Sequence, residues 1–433
     1  MRILIINHYA GSLDHGMEYR PFYFAREWVK MGHTVNIIAA DFSHLRQKNP
    51  EVQKDFQIEQ IDGITYHWVK TGRYEGNGGK RAFTMIQFVS KLYWHAEKIA
   101  KDLKPDAVIA SSTYPLDTYP AKRIAKLANA RLIHEVHDMW PLTLVELGGI
   151  SRYHPFVMLL RIAENAAYSK SDAVVSLLPN TMDYIVQHGM KAEKFHHIPN
   201  GIVLDDWTCT EDLPELHQKA INGIKLSGKF LVCYFGGHAL SNALLAFVDS
   251  AKYLDSEKVC LLLVGQGLEK DNLVQRSKTN GSKNIVFLPP VSKKSLPKLL
   301  ELTDALYIGA VRSPLYRFGV SMNKLFDAMM AAKPVLYAVD AANNDVDTTG
   351  CGITVEPDNA EAIAMGIKQM LKMDPVQLAQ MGKNGRHSVI ENNDYKILAD
   401  RFLKVLKEKE KEKEKEKEKE KEKEKENKSF YFA

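Results

Sequence analysis

Lys324 and Asp327 stand three residues apart in FGVSMNKLFDAMMAAKPV (318–335), beside Met322, Leu325, Phe326, Met329 and Met330, which recur at the spacing of a buried helical stripe. Residues at i and i+3 share a helix face, so both charges lie next to the apolar seam within the first two turns. A lysine there faces the positive end of the helix dipole and is misplaced unless an anion gathers both fields. Ser321 is expected to cap the helix, with Gly319 permitting close approach of backbone to a ligand. Met322, Asn323 and Lys324 then fill the first turn, whose amides lack intrahelical partners. Asp327, one turn on, can accept hydrogen bonds from sugar hydroxyls. Two readings fit the spacing: a surface ion pair or an anion-binding helix start. The preceding chain favours the second. The run ALYIGA (305–310) enters VRSPLYRFGVS (311–321), where Arg312 and Arg317 make a basic, glycine-bearing loop between strand and helix, a place where phosphates bind.

The elements that must position this site are short apolar runs alternating with helical patterns. In the first half they are ILII (3–6), TVNIIAA (34–40), AVIASS (107–112), RLIHEV (131–136) and AVVSLL (173–178), with helical segments such as Tyr19–Met31, Thr84–Leu103 and His154–Ser169 between them. In the second half they are FLVCYFG (230–236), VCLLLVG (259–265), NIVFL (284–288), ALYIGA (305–310) and PVLYAV (334–339). Unbroken apolar strands between helices predict parallel sheets covered on both faces, hence two consecutive doubly wound α/β domains with ligands at the carboxyl ends of the strands. The division expected is 1–205, 206–390, a terminal helix over 391–406 and a charged tail over 407–433. The polar stretch from Asn200 to about Lys229 reads as the connection between domains.

The 433 residues are 45% hydrophobic and 26% charged, ordinary for a globular chain with two or three cores. No apolar run is long enough to span a bilayer, and MRILIINHYAG is too short for a signal-peptide core, so the expected location is cytoplasmic. Cys209, Cys233, Cys260 and Cys351 lie far apart and suggest neither a disulfide framework nor a zinc site. There are 58 basic and 53 acidic residues; Lys407–Glu426, ten Lys-Glu dipeptides, takes ten of each, so the excess of five belongs to the rest. That excess suits anionic ligands or lipid surfaces and gives no case for nucleic acid. The repeat itself reads as a solvated extension of the last helix.

GVSMNKLFDAMMAAKPV resembles the donor-site segment of the retaining, GT-B-fold glycosyltransferases, usually K-x-x-E-x-M-A-x-G-x-P-V. GSLDHGMEYRPFYFAREWVKMGHTV (11–35), HEVHDMWPLTLVELGG (134–149), IPNG (198–201) and LLLVGQG (261–267) agree with it. HDMWP and VSMNKLFD look most like the subgroup that transfers N-acetylated amino sugars, such as N-acetylfucosamine, onto lipid-linked precursors of bacterial surface polysaccharides. The resemblance implies two Rossmann-like domains facing across a cleft. It also implies a nucleoside diphosphate sugar as donor, UDP by default, and a glycan or lipid-linked saccharide as acceptor.

By position the resemblance makes Asp327 the ribose-binding carboxylate, one methylene short, and puts Lys324 and the amides around Ser321 near the diphosphate. Two departures stand out. The family's earlier glutamate falls at Gly319, and the usual Arg-and-Lys pair after the first strand of the second domain is absent. There, FGGHALSNAL (235–244) offers Gly237 and His238, leaving Arg312, Arg317 and Lys324 as replacement charge. In the first domain, His134 and Glu135 finish a strand; His137 or Asp138, in the loop after it, would touch the transferred sugar or the acceptor hydroxyl. Gly11 and Ser12 would form a close turn beside the diphosphate. No D-x-D-type metal cluster stands in a suitable place, so neither metal nor cofactor is expected; the resemblance suggests front-face attack with the leaving phosphate taking the acceptor's proton. The helices opening at GRYEGNGGKRAF (72–83) and RYHPFVMLLRIAENAAY (152–168) carry basic ends and aromatic stripes. Either a core role or contact with the inner membrane face fits them. A sugar-nucleotide 2-epimerase and a non-catalytic nucleotide-sugar-binding protein are the alternatives.

Overall fold

All ten apolar runs become strands. In the computed structural model, which describes residues 1–76, 78–208 and 210–407, the first unit contains β1 (Arg2–Ile6), β2 (Thr34–Ala40), β3 (Gln57–Ile61), β4 (Ile64–Val69), β5 (Ala107–Ala110), β6 (Arg131–Val136), β7 (Ala173–Ser176) and β8 (Phe195–His197). The second contains β9 (Phe230–Phe235), β10 (Val259–Val264), β11 (Ile285–Leu288), β12 (Ala305–Gly309), β13 (Val335–Ala338) and β14 (Gly352–Thr354). The sheet orders are β3-β4-β2-β1-β5-β6-β7-β8 and β11-β10-β9-β12-β13-β14. Only the β3–β4 pair is antiparallel among the described strands.

Burial on both faces explains the unbroken runs. In β9, Leu231, Cys233 and Phe235 enter one apolar cluster while Val232 and Tyr234 enter the cluster on the opposite face. The alternation repeats in β10, with Cys260, Leu262 and Val264 on one side and Val259, Leu261 and Leu263 on the other. These are the α/β layers expected.

Four features differ from the reading of the sequence. The β3–β4 hairpin turns at Asp62 and Gly63, both at positive φ (49° and 77°). The helix expected over 84–103 divides into Gly79–Trp94 and Ala96–Leu103 at His95, whose ring nitrogen lies 2.8 Å from the Lys91 carbonyl. The stretch after Asn200 is no bare connection: it holds the helix Glu215–Leu226, and Ile202, Leu213 and Ile221 are buried in the second unit's core. The chain divides at 198/199 and returns to the first unit at Leu398. There the helix over 395–407 packs Phe402 against Phe24 and Trp28, and the Trp28 indole donates to the Ala399 carbonyl at 2.9 Å. Cys233, Cys260 and Cys351 are buried free thiols. Cys209 and the repeat from Glu408 onward lie outside the described residues.

Candidate active site

In the second unit, β9 leads away to β10 on one side and β12 to β13 on the other, so the boundary between β9 and β12 is the topological switch point. Loops leaving two such strands diverge and leave a crevice at their carboxyl ends. Lys324 belongs to the helix Asn323–Met330, which follows β12, and its side chain reaches the loop after β9. Nζ donates to the Tyr234 hydroxyl at 3.0 Å and to Asn242 Oδ1 at 2.5 Å, and lies 5.0 Å from the Tyr234 ring centroid. Burial lowers its pKa to about 8. No carboxylate pairs with it among the described residues, so the ion pair with Asp327 that the spacing allowed is not formed.

His238 lies against this lysine. Its side chain is fully buried, neither ring nitrogen has a hydrogen-bond partner among the described residues, and burial, with Lys270 and Lys324 nearby, lowers its pKa to about 4. Its backbone is pinned by the amide's bond to the Gln266 carbonyl at 2.8 Å. The Gly237 carbonyl accepts from Tyr234 at 2.6 Å and from Asn242 at 2.8 Å. Two glycines after β10 make the packing feasible: a Cβ on Gly265 would come within 1.9 Å of the Gly236 carbonyl oxygen, and one on Gly267 within 2.4 Å of the His238 carbonyl oxygen. Asp327 is half-buried and its carboxylate makes no hydrogen bond among the described residues. Burial raises its pKa to about 6, with Lys293 opposing the rise and Asp206 adding to it.

Several proposed groups are engaged elsewhere. Ser321 is not the cap: the N-cap is Met322, without side-chain capping, and the Ser321 hydroxyl accepts from the Asn200 amide at 2.8 Å. Arg312 pairs with Asp340 at 3.0 Å and Glu356 at 2.8 Å, and Arg317 donates to the Pro314 carbonyl and covers the Phe318 ring. Gly319 has φ 82°, a value that favours glycine, and Asn343 straps the adjacent Val320 through both its backbone groups. Asn323 is exposed at the helix start. The structure thus gathers Gly237, His238 and Lys324, adds Tyr234, Asn242 and Lys270, and leaves both arginines outside the cluster. Lys270 could have been noticed, since it follows LVGQG at the start of a helix and its Nζ donates to the Gly265 carbonyl at 3.2 Å.

The first unit has a second polar cluster at its own switch point, between β1 and β5. Asn7 Nδ2 crosses that point to the Ser111 carbonyl at 2.6 Å. Ser111 Oγ donates to Glu135 Oε2 at 2.6 Å, and Arg20 Nε donates to Glu135 Oε1 at 2.9 Å. Burial works to raise the Glu135 pKa, but the Arg20 charge, His137 and these hydrogen bonds overcome it and hold the carboxyl at about 2. His137 Nε2 lies 3.1 Å from Glu135 Oε2 and 3.0 Å from Ser111 Oγ. Asp138 does not join them: its Oδ1 accepts from the Met139 amide and from the hydroxyl of Thr143 in the short helix Leu142–Glu146. Gly11 makes a close turn, but against its own chain, where a Cβ would come within 1.8 Å of the Gly16 carbonyl oxygen. The Ser12 hydroxyl is occupied within the same loop by His15.

Residues 15–201 match the family described as Glycosyl transferase 4-like domain, and residues 229–373 match Glycosyl transferases group 1. The chain is 24% identical over 277 residues to WcaI of Escherichia coli K12, named for colanic acid biosynthesis glycosyl transfer; the match covers 62% of this chain and 67% of that protein. It is 22% identical over 316 residues to WbjE of Pseudomonas aeruginosa, named as a glycosyltransferase, covering 70% and 75%. Its fold matches Anabaena Alr3699/HepE in complex with UDP and glucose, with TM-score 0.65 and 16% identity over 94% of this chain and 100% of that one.

Proposed function

We propose that this chain, whose residues 15–201 and 229–373 match a glycosyl transferase 4-like domain and glycosyl transferases group 1, moves a sugar from a UDP-sugar to a hydroxyl of a glycan or lipid-linked saccharide during surface polysaccharide synthesis. The observation that carries this reading is the half-buried ammonium of Lys324 at the β9/β12 switch point, with no carboxylate among the described residues to neutralise it and the ring of His238 within electrostatic reach. A buried cation without a counter-ion is unfavourable, and a diphosphate relieves it. Asp327, one turn along, takes ribose hydroxyls. The bond from the anomeric carbon to the diphosphate oxygen breaks as the acceptor oxygen bonds to the same face. The acceptor's proton passes to the leaving diphosphate, so the configuration is retained without a nucleophilic carboxylate. The transferred sugar is an N-acetylated amino sugar, on the likeness of HDMWP and NKLFD.

Nucleotide selectivity tests the donor assignment directly. UDP is expected to raise the melting temperature more than ADP or GDP does, since a ligand at a hundred times its Kd stabilises by about 2.7 kcal/mol. A melting temperature that none of these nucleotides moves removes the proposal.

The lipid-linked acceptor is supported by an apolar face on the first unit. The helix Pro155–Lys170 buries Val157, Leu160 and Ala163, yet exposes Met158, Leu159 and Ile162 next to Arg152 and Tyr153. Phe83 and Ile86 are exposed on Gly79–Trp94 in the same way, after Lys80. No described helix is long and apolar enough to cross a membrane, but these faces suit one leaflet. The protein is expected to float with anionic liposomes at low salt and to lose that binding in a Met158→Asp, Ile162→Asp variant. Absence of flotation at low salt removes the membrane reading.

A further inference from the structure

The hydrogen bonds around Ser111 determine which nitrogen of His137 carries a proton. An ionised carboxylate only accepts, so Glu135 Oε2 requires a donor from His137 Nε2 across 3.1 Å. The one proton of the Ser111 hydroxyl goes to the same carboxylate oxygen at 2.6 Å, so Ser111 Oγ can face Nε2 only as an acceptor. Asn7 Nδ2, 3.2 Å away, supplies Ser111 Oγ with a further donor. Both neighbours of Nε2 therefore demand an N–H there. Nδ1 makes no hydrogen bond among the described residues; the nearest charge is Glu18 Oε1 at 3.9 Å. His134 and Asp117 also lie within electrostatic reach of the ring.

We propose that Glu135, clamped between Arg20 and Ser111, is a positioning residue that locks His137 in the tautomer protonated at Nε2 and presents Nδ1 as a hydrogen-bond acceptor on the side of Glu18. The inference rests on the transferase reading for its purpose, which is to let His137 Nδ1 accept a hydrogen bond from a sugar or acceptor hydroxyl at a fixed place. Arg20 contributes through Glu135. Its guanidinium is 2% exposed and also donates to the Ile198 carbonyl at 2.8 Å, so the carboxylate cannot swing away without stranding a buried charge.

The tautomer is read by long-range 15N–1H correlation of the imidazole, with His137 assigned from the signals lost in His137→Gln. The wild-type protein is expected to show Nε2 protonated and Nδ1 bare. In Glu135→Gln the side-chain amide can turn its NH2 toward Nε2, moving the proton to Nδ1. The kcat should then fall by about tenfold, the scale of one hydrogen bond lost from the reacting complex, with the donor KM little changed. A wild-type ring protonated at Nδ1, or a tautomer unchanged in Glu135→Gln, overturns the proposal. If Glu135→Gln fails to fold, the wild-type spectrum still decides. The spectrum needs no substrate, so a protein with the Nε2–H tautomer that transfers no sugar defeats the transferase reading and leaves the tautomer lock standing.

Discussion

Replacing Lys324 by alanine is expected to lower kcat for sugar transfer by about 10²–10³-fold, the cost of removing one preorganised group from developing charge. The fold should survive. The two side chains that Nζ contacts each keep a hydrogen bond, because the Tyr234 hydroxyl and Asn242 Nδ2 both donate to the Gly237 carbonyl, and half-buried Asn242 Oδ1 can turn to water. Lys324→Met keeps the apolar stem and separates lost charge from lost packing. A pH profile tests the same assignment. With its pKa lowered by burial to about 8, the free enzyme loses the ammonium as pH rises through that value, so kcat/KM should decline above about pH 8. This limb should be absent from the residual activity of Lys324→Met. Stability moves the other way. Between about pH 8 and the ordinary lysine value the unfolded chain holds a proton the native state lacks, so this residue's contribution makes the folded state more stable as pH rises through that window. Unchanged turnover in Lys324→Ala would refute the placement of the diphosphate.

The central strands were legible because burial on both faces leaves no room for alternation: VCLLLV and FLVCYF could hardly be anything else. The edges were not. β3, QIEQI, alternates half-buried with exposed positions and buries only Ile61 on an antiparallel edge, and β8 and β14 have three residues each. The Asp62-Gly63 step between two β-rich runs was a usable hairpin signal that a search for apolar runs passes over.

The site was legible to the extent that its contacts are local. Lys324 and His238 sit on the loops where parallel strands end, and the strand pattern points to those loops. What spacing could not reveal is which charges the fold uses elsewhere. Arg312 finds Asp340 and Glu356, 28 and 44 residues further on. Ser321 looks like a cap by local rules, yet its hydroxyl serves Asn200, 121 residues away. Asp138 is the opposite case: Met139 and Thr143, which bond to its carboxylate, are one and five residues away, contacts that the local sequence could have suggested.

Gly265→Ala is expected to damage the donor site as badly as loss of the lysine, by a different route. At φ 153° the residue has a conformation that side chains rarely adopt, and the new methyl would lie 1.9 Å from the Gly236 carbonyl oxygen and 3.2 Å from His238 Nε2. Backbone cannot yield as a flexible side chain does. Gly236 in turn packs against the Lys324 stem, where a Cβ would be 3.0 Å from Cδ, so pushing its carbonyl aside moves the lysine as well. The strain and overpacking should together cost about 2–4 kcal/mol. For a unit of this size that is a melting temperature lower by roughly 5–15 °C. Gly281→Ala is the control, since φ there is 65° and nothing lies within 4 Å of the added methyl. It should lose about 1 kcal/mol and keep its UDP response. Calorimetry with and without UDP measures both quantities on one sample. A Gly265→Ala protein that melts and binds UDP like wild type would mean that the two loops are not packed as closely as this geometry requires, and the cradle assigned to the diphosphate would go with them.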